Sequence, residues 1–201
     1  MSEPQGVVFG LNILDRMVQA VEAVKDRLRR AATALEQAGV AYAVVGGNAV
    51  SAWVASVDKA ATRNTPDVDL LVRCSDVDAV TAALTAVGFV RDKRGDIVVF
   101  LDGPTAKPRD AVHVLFAREK VRQDDPVPAP DVDEITAGIG RGFRVLSLEP
   151  LVRMKLTSHR LKDQVHIQDM IGVGLIDPSW VARFPPVLAA RLQALLDNPT
   201  G

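Results

Sequence analysis

The sequence has a single cysteine, Cys74, and aromatic residues make up only 4% of the chain. One cysteine excludes a disulfide scaffold, and so few aromatics disfavour single-stranded nucleic-acid binding by base stacking. The formal net charge is −1, so we expect no dedicated DNA-binding surface. No apolar run reaches the roughly 20 residues of a membrane span. The first ten residues also lack the pattern of a signal peptide, so the prediction is a cytoplasmic protein without membrane association.

The sequence is otherwise typical of a globular protein. With 201 residues, 48% of them hydrophobic, the chain is long enough for one domain with a real core and is not intrinsically disordered. Residues 11–38 predict an amphipathic helix, because apolar side chains recur at steps of three and four. Gly39 is expected to end this helix.

The rest of the chain mixes strand and helix signals. Short apolar segments predict strands at 41–45, 67–73, 96–101, 111–116 and 143–146, with helices at 48–57 and from 75 to about 87. Three prolines and many charges predict an exposed loop at 118–133, and helices are predicted at 150–160, 163–173 and 186–197. We therefore expect an α/β (α+β) fold, with a small mixed sheet flanked by helices. Its parts are an N-terminal helix packed on the core (1–38), the α/β core (39–147) and a C-terminal helical segment (148–201).

Two glycines, Gly46 and Gly47, stand where a predicted strand gives way to a helix. Glycine lets backbone N–H groups approach a ligand closely, and a helix N-terminus favours an anion such as phosphate. The same pair also occurs at tight turns that bind nothing.

Two carboxylates, Asp67 and Asp69, open the next predicted strand. Side chains two apart on a strand point to the same side. Their mutual repulsion is relieved by a divalent cation, which makes a metal site one interpretation. The alternative is a solvated strand end.

The order of glycine turn, helix and Asp-x-Asp strand resembles the DNA polymerase β-like nucleotidyltransferases. The segments VVGGNAVSAW and ATRNTPDVDLLV, with the tail MKLTSHRLKDQVHIQDM, resemble in particular the AbiEii-like and related toxin-type or uncharacterised bacterial members. The most specific part is the run RNTPDVD at 63–69, and the resemblance covers roughly residues 38–175.

This resemblance implies transfer of an NMP from an NTP to a hydroxyl of a protein, an RNA or a small molecule. Asp67 and Asp69 would be catalytic and would bind Mg²⁺ (or Mn²⁺), which orients the α-phosphate. A setting in a toxin–antitoxin or phage-defence system is also implied. The resemblance assigns nucleotide or phosphate contacts to Gly46, Gly47, Asn48, Arg63, Thr65 and Lys155.

The sequence departs from the family at His113, where relatives usually have a third carboxylate. Imidazole is a poor ligand for Mg²⁺ but a suitable general base, or a ligand for a softer ion such as Mn²⁺. His113 would be the third catalytic residue, or it would mark lost catalysis in a domain that binds a nucleotide or a partner protein. Asp110 is an alternative source of the third carboxylate, but it is three residues from His113 and would face the opposite side of the strand.

The C-terminal tail adds Arg160, Asp163 and His166 to the surroundings of this site. Lys155, Arg160 and Lys162 predict either a phosphate-contact region or a solvated helix face, and Asp163 is expected to pair with these bases. His166 is either a packing histidine or, with His113, one half of a paired site. Nucleic-acid binding by the basic tail is a further interpretation, which the near-neutral charge disfavours.

Overall fold

The computed structural model describes residues 5–92, 98–107, 110–136, 139 and 142–198, with side chains from residue 12 onward. The helices are α1 Gln5–Gln37, α2 Gly46–Val57, α3 Val77–Ala86, α4 Leu148–Ser158, α5 Leu161–Gly172 and α6 Pro186–Asp197. The strands are β1 Tyr42–Val45, β2 Val68–Val72, β3 Val90–Asp92, β4 Val98–Leu101, β5 Ala111–Phe116, β6 Ile135–Thr136 and β7 Val145–Leu146. Short 3-10 helices occupy Cys74–Asp76 and Pro178–Arg183.

The strands form one mixed sheet in the order β3-β4-β5-β2-β1-β7-β6. The β2–β5 and β1–β7 pairs are parallel and the others are antiparallel. The register aligns Val45, Asp69, His113 and Val99 in a row across four adjacent strands. The predicted mixed α/β fold is confirmed, and the row brings together residues that are far apart in sequence.

Helix α1 has a packed half and a projecting half. Leu28, Ala31 and Leu35 are buried, where the helix packs with α3 against β2 and β5. Residues 12–20 are all exposed. Gly39 takes a positive φ of 66° after the helix end, as predicted, and the Val40 N–H donates to the carbonyl of Leu35. The apolar stripe is thus continuous, but only its second half is used inside the chain.

The C-terminal helices α4, α5 and α6 pack on one another, and α4 and α5 also pack on α2. Helix α4 ends at Ser158, and His159 takes a left-handed conformation with φ 46°. Helix α5 can therefore begin two residues later and return alongside α4. This tight turn brings the end of α4 and the start of α5 to the same place.

Several boundaries differ from the sequence prediction. The edge strands β3 and β6 were not predicted, because they contain only three and two residues. Such short segments cannot show an alternation of apolar and polar side chains. The predicted strand at 96–101 begins at Val98 in the structure, and residues 96–97 lie outside the described residues. Among the described residues, the helices are either too short or too polar to span a membrane.

The segment 118–133 is a loop as predicted, but it is wrong to describe all of it as exposed. Asp125, Ala129 and Val132 are buried. The loop folds back on itself, since the Ala129 N–H donates to the carbonyl of Glu119 at 2.8 Å and the Arg118 N–H donates to that of Ala129 at 3.1 Å. Closing these backbone hydrogen bonds turns part of the loop inward.

Candidate active site

A cavity of about 660 Å³ lies over the row of residues that crosses the sheet. Ten of the side chains or glycines predicted as site residues line it: Gly46, Gly47, Thr65, Asp67, Asp69, His113, Lys155, Arg160, Asp163 and His166. They come from the β1–α2 turn, the start of β2, strand β5 and the α4–α5 turn. A volume of this size is in the range of small-molecule and cofactor sites.

The two glycines are required by sterics at this turn. Gly46 has a φ of 65°, and a Cβ on it would lie 1.8 Å from Oδ2 of Asp69. A Cβ on Gly47 would lie 2.8 Å from Oγ1 of Thr65. Helix α2 begins directly at Gly46 without a side-chain cap on its first amides. Oδ2 of Asp69 therefore packs directly against the backbone of this turn, and no N-cap side chain satisfies the first amides of α2 among the described residues.

We expect Gly46→Ala to be far more damaging than Gly39→Ala. Both glycines have a φ near 65°, but the space around Gly39 is open. Each alanine costs about 1 kcal/mol of left-handed strain, and only that at 46 adds a clash with Asp69, worth about 1–3 kcal/mol more. Urea unfolding measures both free energies. Equal losses would contradict the close approach of Gly46 to the carboxylate.

The acidic centre of the site is Asp69, with His113 beside it. Oδ1 of Asp69 lies 3.3 Å from Nδ1 of His113. Burial alone raises the pKa of Asp69, but the hydrogen bond and charge of His113 outweigh burial, and the pKa is lowered. The same hydrogen bond raises the pKa of His113 against the opposing effect of burial. The pair therefore favours an ionised carboxylate beside an imidazolium.

The donor set fits a metal ion that the protein shares with a nucleotide. No three His, Cys, Asp or Glu side chains converge into a complete metal cage in the described part of the chain. Asp67 and Asp69 are two residues apart and both line the cavity, where Oδ2 of Asp69 packs against Gly46. Mg²⁺ is commonly bound by one or two carboxylates, with phosphates and waters completing the shell.

A buried ion cluster forms the opposite wall of the cavity. Asp163 is fully buried and accepts hydrogen bonds from Lys155 Nζ at 2.9 Å, Arg160 Nε at 2.7 Å and the Ser158 hydroxyl. Burial alone would raise the pKa of Asp163, but the Arg160 hydrogen bond and the charge of Lys155 hold it well below its ordinary value. Two cations share one carboxylate, so the cluster presents a net positive charge to the cavity.

His166 lies one helical turn after Asp163 and lines the same cavity. Its Nδ1 is buried and has no hydrogen-bond partner among the described residues. Burial, followed by the charge of Lys155, lowers the pKa of His166 to about 4. The imidazole is therefore neutral at pH 7, and its buried Nδ1 is left unsatisfied by the described residues. His113 and His166 face one cavity together with Asp67.

Two predicted nucleotide contacts, Asn48 and Arg63, have protein partners and do not line the cavity. The Asn48 side-chain amide donates to the carbonyl of Asp67 at 2.6 Å. Arg63 Nε donates to both oxygens of Asp169, at 2.8 and 2.9 Å. Both side chains hold the segment that leads into β2. Asp110 also lies outside the cavity, with its carboxylate 3.9 Å from Nη2 of Arg27.

The structure adds cavity residues that sequence reasoning missed. Arg122, Asp125 and Val127 from the 118–133 loop line the cavity, and Asp125 is only 6% exposed. The prolines of this segment signal a loop, but no pattern in it signals burial. Lys162 also lines the cavity, and its charge lowers the pKa of Asp69. The sequence placed Lys162 in the basic patch of the tail and did not indicate that it approaches Asp69.

Comparison with known proteins gives structural similarity alone. No protein-family model matches the chain, and no curated protein matches it significantly. A solution structure of the antibiotic-resistance factor ANT(2'')-Ia covers 91% of this chain and 90% of its own, with 14% identity and a TM-score of 0.46. A crystal structure of ANT(2'')-Ia in complex with adenylyl-2''-tobramycin covers 82% and 94%, with 17% identity and a TM-score of 0.51. The chain therefore has a mixed α/β fold of the nucleotidyltransferase type.

Proposed function

We propose that this protein is a metal-dependent nucleotidyltransferase that moves an NMP from an NTP to a hydroxyl group. The observation that carries the proposal is that Asp67, just before β2, and Asp69, within it, line the same cavity as the cationic cluster of Lys155, Arg160 and Asp163. Carboxylates suit a divalent cation, and the cluster suits phosphate oxygens. One cavity thus offers both halves of a metal–triphosphate site.

The chain's own residues have distinct tasks in this mechanism. Asp67 and Asp69 would hold Mg²⁺ or Mn²⁺, which neutralises phosphate charge when bound. The first amides of α2, at Gly46 and Gly47, would bind phosphate oxygens as other helix N-termini do. Lys155 and Arg160 would hold the rest of the triphosphate. The acceptor oxygen would attack the α-phosphorus in line, and the bond to the β-phosphate would break to release pyrophosphate.

His113 occupies the position next to Asp69 from which a base can reach the acceptor hydroxyl. We propose that His113, in its neutral form, accepts the hydroxyl proton, the task of the third carboxylate in the resembled family. A divalent cation on Asp67 and Asp69 would offset the carboxylate charge that otherwise favours the imidazolium. The contact with Asp69 fixes the imidazole ring through Nδ1, which leaves Nε2 for the acceptor. The same contact keeps His113 beside the metal carboxylates.

The acceptor hydroxyl for the NMP is proposed separately, from the neighbouring structure and the shape of the cavity. The complex of ANT(2'')-Ia contains adenylyl-2''-tobramycin, an adenylylated small molecule. We therefore propose a small-molecule hydroxyl first, since the inward part of the 118–133 loop closes one side of the cavity. A protein or RNA hydroxyl, and a role as an AbiEii-like toxin or in phage defence in the cytoplasm, rest on the sequence resemblance alone.

Calorimetric titration of the four NTPs tests the proposed function directly. Each NTP is titrated into the protein with Mg²⁺, with Mn²⁺ and with EDTA. We expect at least one NTP to bind with a metal and to lose most of its affinity in EDTA. Binding that ignores the metal, or no binding with either ion, would overturn the proposal. The NTP that binds is then used to assay transfer to small-molecule, RNA and protein acceptors.

One observation favours a second candidate, a catalytically degenerate domain that binds a partner protein. Leu14 and Met17 are 58% exposed and Val18 is 62% exposed on the projecting half of α1. An apolar stripe of this kind is typical of helix pairing. NTP binding without transfer to any acceptor class would favour this candidate. A gain of transfer in His113→Asp would instead identify a weakened enzyme.

A further inference from the structure

One buried cation in the structure has no part in the chemistry described so far. Arg27 lies in α1, is 4% exposed and does not line the cavity. Burying a guanidinium is costly unless its N–H groups are satisfied. Its contacts therefore indicate what the residue is for.

The Arg27 side chain connects three parts of the chain. Its Nε donates to Oδ2 of Asp102 at 3.2 Å, and its Nη2 lies 3.9 Å from Oδ1 of Asp110. Its Nη1 donates to the backbone carbonyl of Pro66 at 3.1 Å. Arg30, one turn along α1, also donates to Asp102, at 2.5 Å, so two arginines of α1 hold this carboxylate. The guanidinium is thus a fixed donor for the Pro66 carbonyl.

The Pro66 carbonyl belongs to the peptide unit just before Asp67. The peptide unit just after Asp67 is held as well, because the Asn48 amide donates to the Asp67 carbonyl at 2.6 Å. One donor comes from α1 and the other from α2. With both flanking peptide planes held, the backbone dihedrals of Asp67 are set, and these determine where its side chain can point.

We propose that Arg27 and Asn48 are paired positioning residues that hold Asp67 for metal binding. The inference rests on the proposed function for the metal, but the restraint on the backbone is independent of it. Residues that orient a metal ligand without touching the metal typically contribute about 10–100-fold to metal affinity. Arg27 reaches Asp67 from α1, and Asn48 reaches it from the first turn of α2.

The substitution Arg27→Lys tests this role with little loss of charge. A lysine can keep an ion pair with Asp102, but its single ammonium cannot also reproduce the fork that reaches Pro66. Arg29→Lys is the matched control, because Arg29 lies on the same helix and is 65% exposed. Asn48→Ala removes the second donor.

Two measurements on the full-length variants decide the matter. Mn²⁺ titration, read by electron paramagnetic resonance with the bound NTP present, is expected to show about 10-fold weaker Mn²⁺ binding in Arg27→Lys and in Asn48→Ala, with Arg29→Lys unchanged. Hydrogen exchange of the Asp67 and Val68 amides, without metal, is expected to be faster in both variants. The thermal unfolding midpoint is measured on the same samples as a check on folding.

The outcomes separate this inference from the proposed function. Unchanged exchange at Asp67 in a folded Arg27→Lys variant would overturn the positioning role, whatever the metal result. Faster exchange with wild-type Mn²⁺ affinity would also overturn it, because the restraint would then not serve the metal. A wild-type protein that binds no Mn²⁺ would overturn the proposed function and the metal role together, while the exchange result would still report the backbone restraint.

Discussion

Asp67→Asn/Asp69→Asn is expected to abolish metal-dependent NTP binding and to lower nucleotidyl transfer by about 10³-fold or more. A bound divalent ion contributes several kcal/mol of transition-state stabilisation, and about 1.4 kcal/mol corresponds to tenfold in rate. Asparagine keeps the shape of the side chain but removes the negative charge that attracts the divalent cation. Calorimetry gives the loss of binding, and mass spectrometry of the acceptor gives the loss of transfer.

The control for this pair is Asp133→Asn. Asp133 is 64% exposed and forms an ion pair with Arg73 at 2.7 Å, outside the cavity. We expect this substitution to leave binding and transfer within about twofold, because a surface ion pair contributes about 1 kcal/mol or less to stability and nothing to the site. If the Asp67 and Asp69 variant retained full Mg²⁺-dependent affinity, the metal would have to be bound elsewhere and the mechanism would be wrong.

The order of elements could be predicted because it rests on local patterns. The apolar period of α1, the Gly39 stop and the strands at 67–73 and 111–116 are each contained in a short stretch of sequence. Of the twelve residues that the sequence suggested for the site, ten line one cavity. The edge strands β3 and β6 were missed because they are very short and take their pairing from neighbours.

The partners of side chains could not be predicted in the same way. Arg63 stands in the most specific run of the sequence, yet it binds Asp169, which lies on α5. Asn48 follows the glycine turn, yet its amide binds the Asp67 backbone and not the cavity. Both outcomes depend on how close two helices come to one loop, and that distance is a property of packing. The inward turn of Asp125 is a similar case, since it follows from hydrogen bonds that close the loop.

The two halves of helix α1 contact different parts of the protein's surroundings: one packs near the site, and the other is exposed. Its packed half supplies Arg27 to the Pro66 carbonyl, and its projecting half carries exposed Leu14 and Met17. A single rigid helix thus joins an exposed apolar surface to the entry of the strand that carries the proposed metal ligands. The inference on Arg27 can be tested on this protein alone, without a partner protein for the exposed surface.

Asp163→Ala is expected to be the most destabilising single substitution in the C-terminal helices, by about 3–5 kcal/mol. Lys155 is only 6% exposed, so removal of its carboxylate leaves a buried ammonium without its partner. Urea unfolding measures the loss. Glu149→Ala is the matched control on α4, because Glu149 is 46% exposed and its ion pair with Arg183 is long, at 3.5 Å. We expect that control to cost less than about 1 kcal/mol.

The pH dependence of stability, compared between the wild-type protein and Asp163→Asn, gives a second, independent check. The folded-state pKa of Asp163 is well below its ordinary value, so its contribution to stability is fully present above the unfolded pKa of about 4. That contribution is lost as the pH falls below 4 toward the lower folded-state value. Wild-type protein should therefore lose stability more steeply below pH 4 than Asp163→Asn. Parallel curves would show that the carboxylate is not ionised in the cluster, and Lys155 and Arg160 would then face the cavity with their full charge.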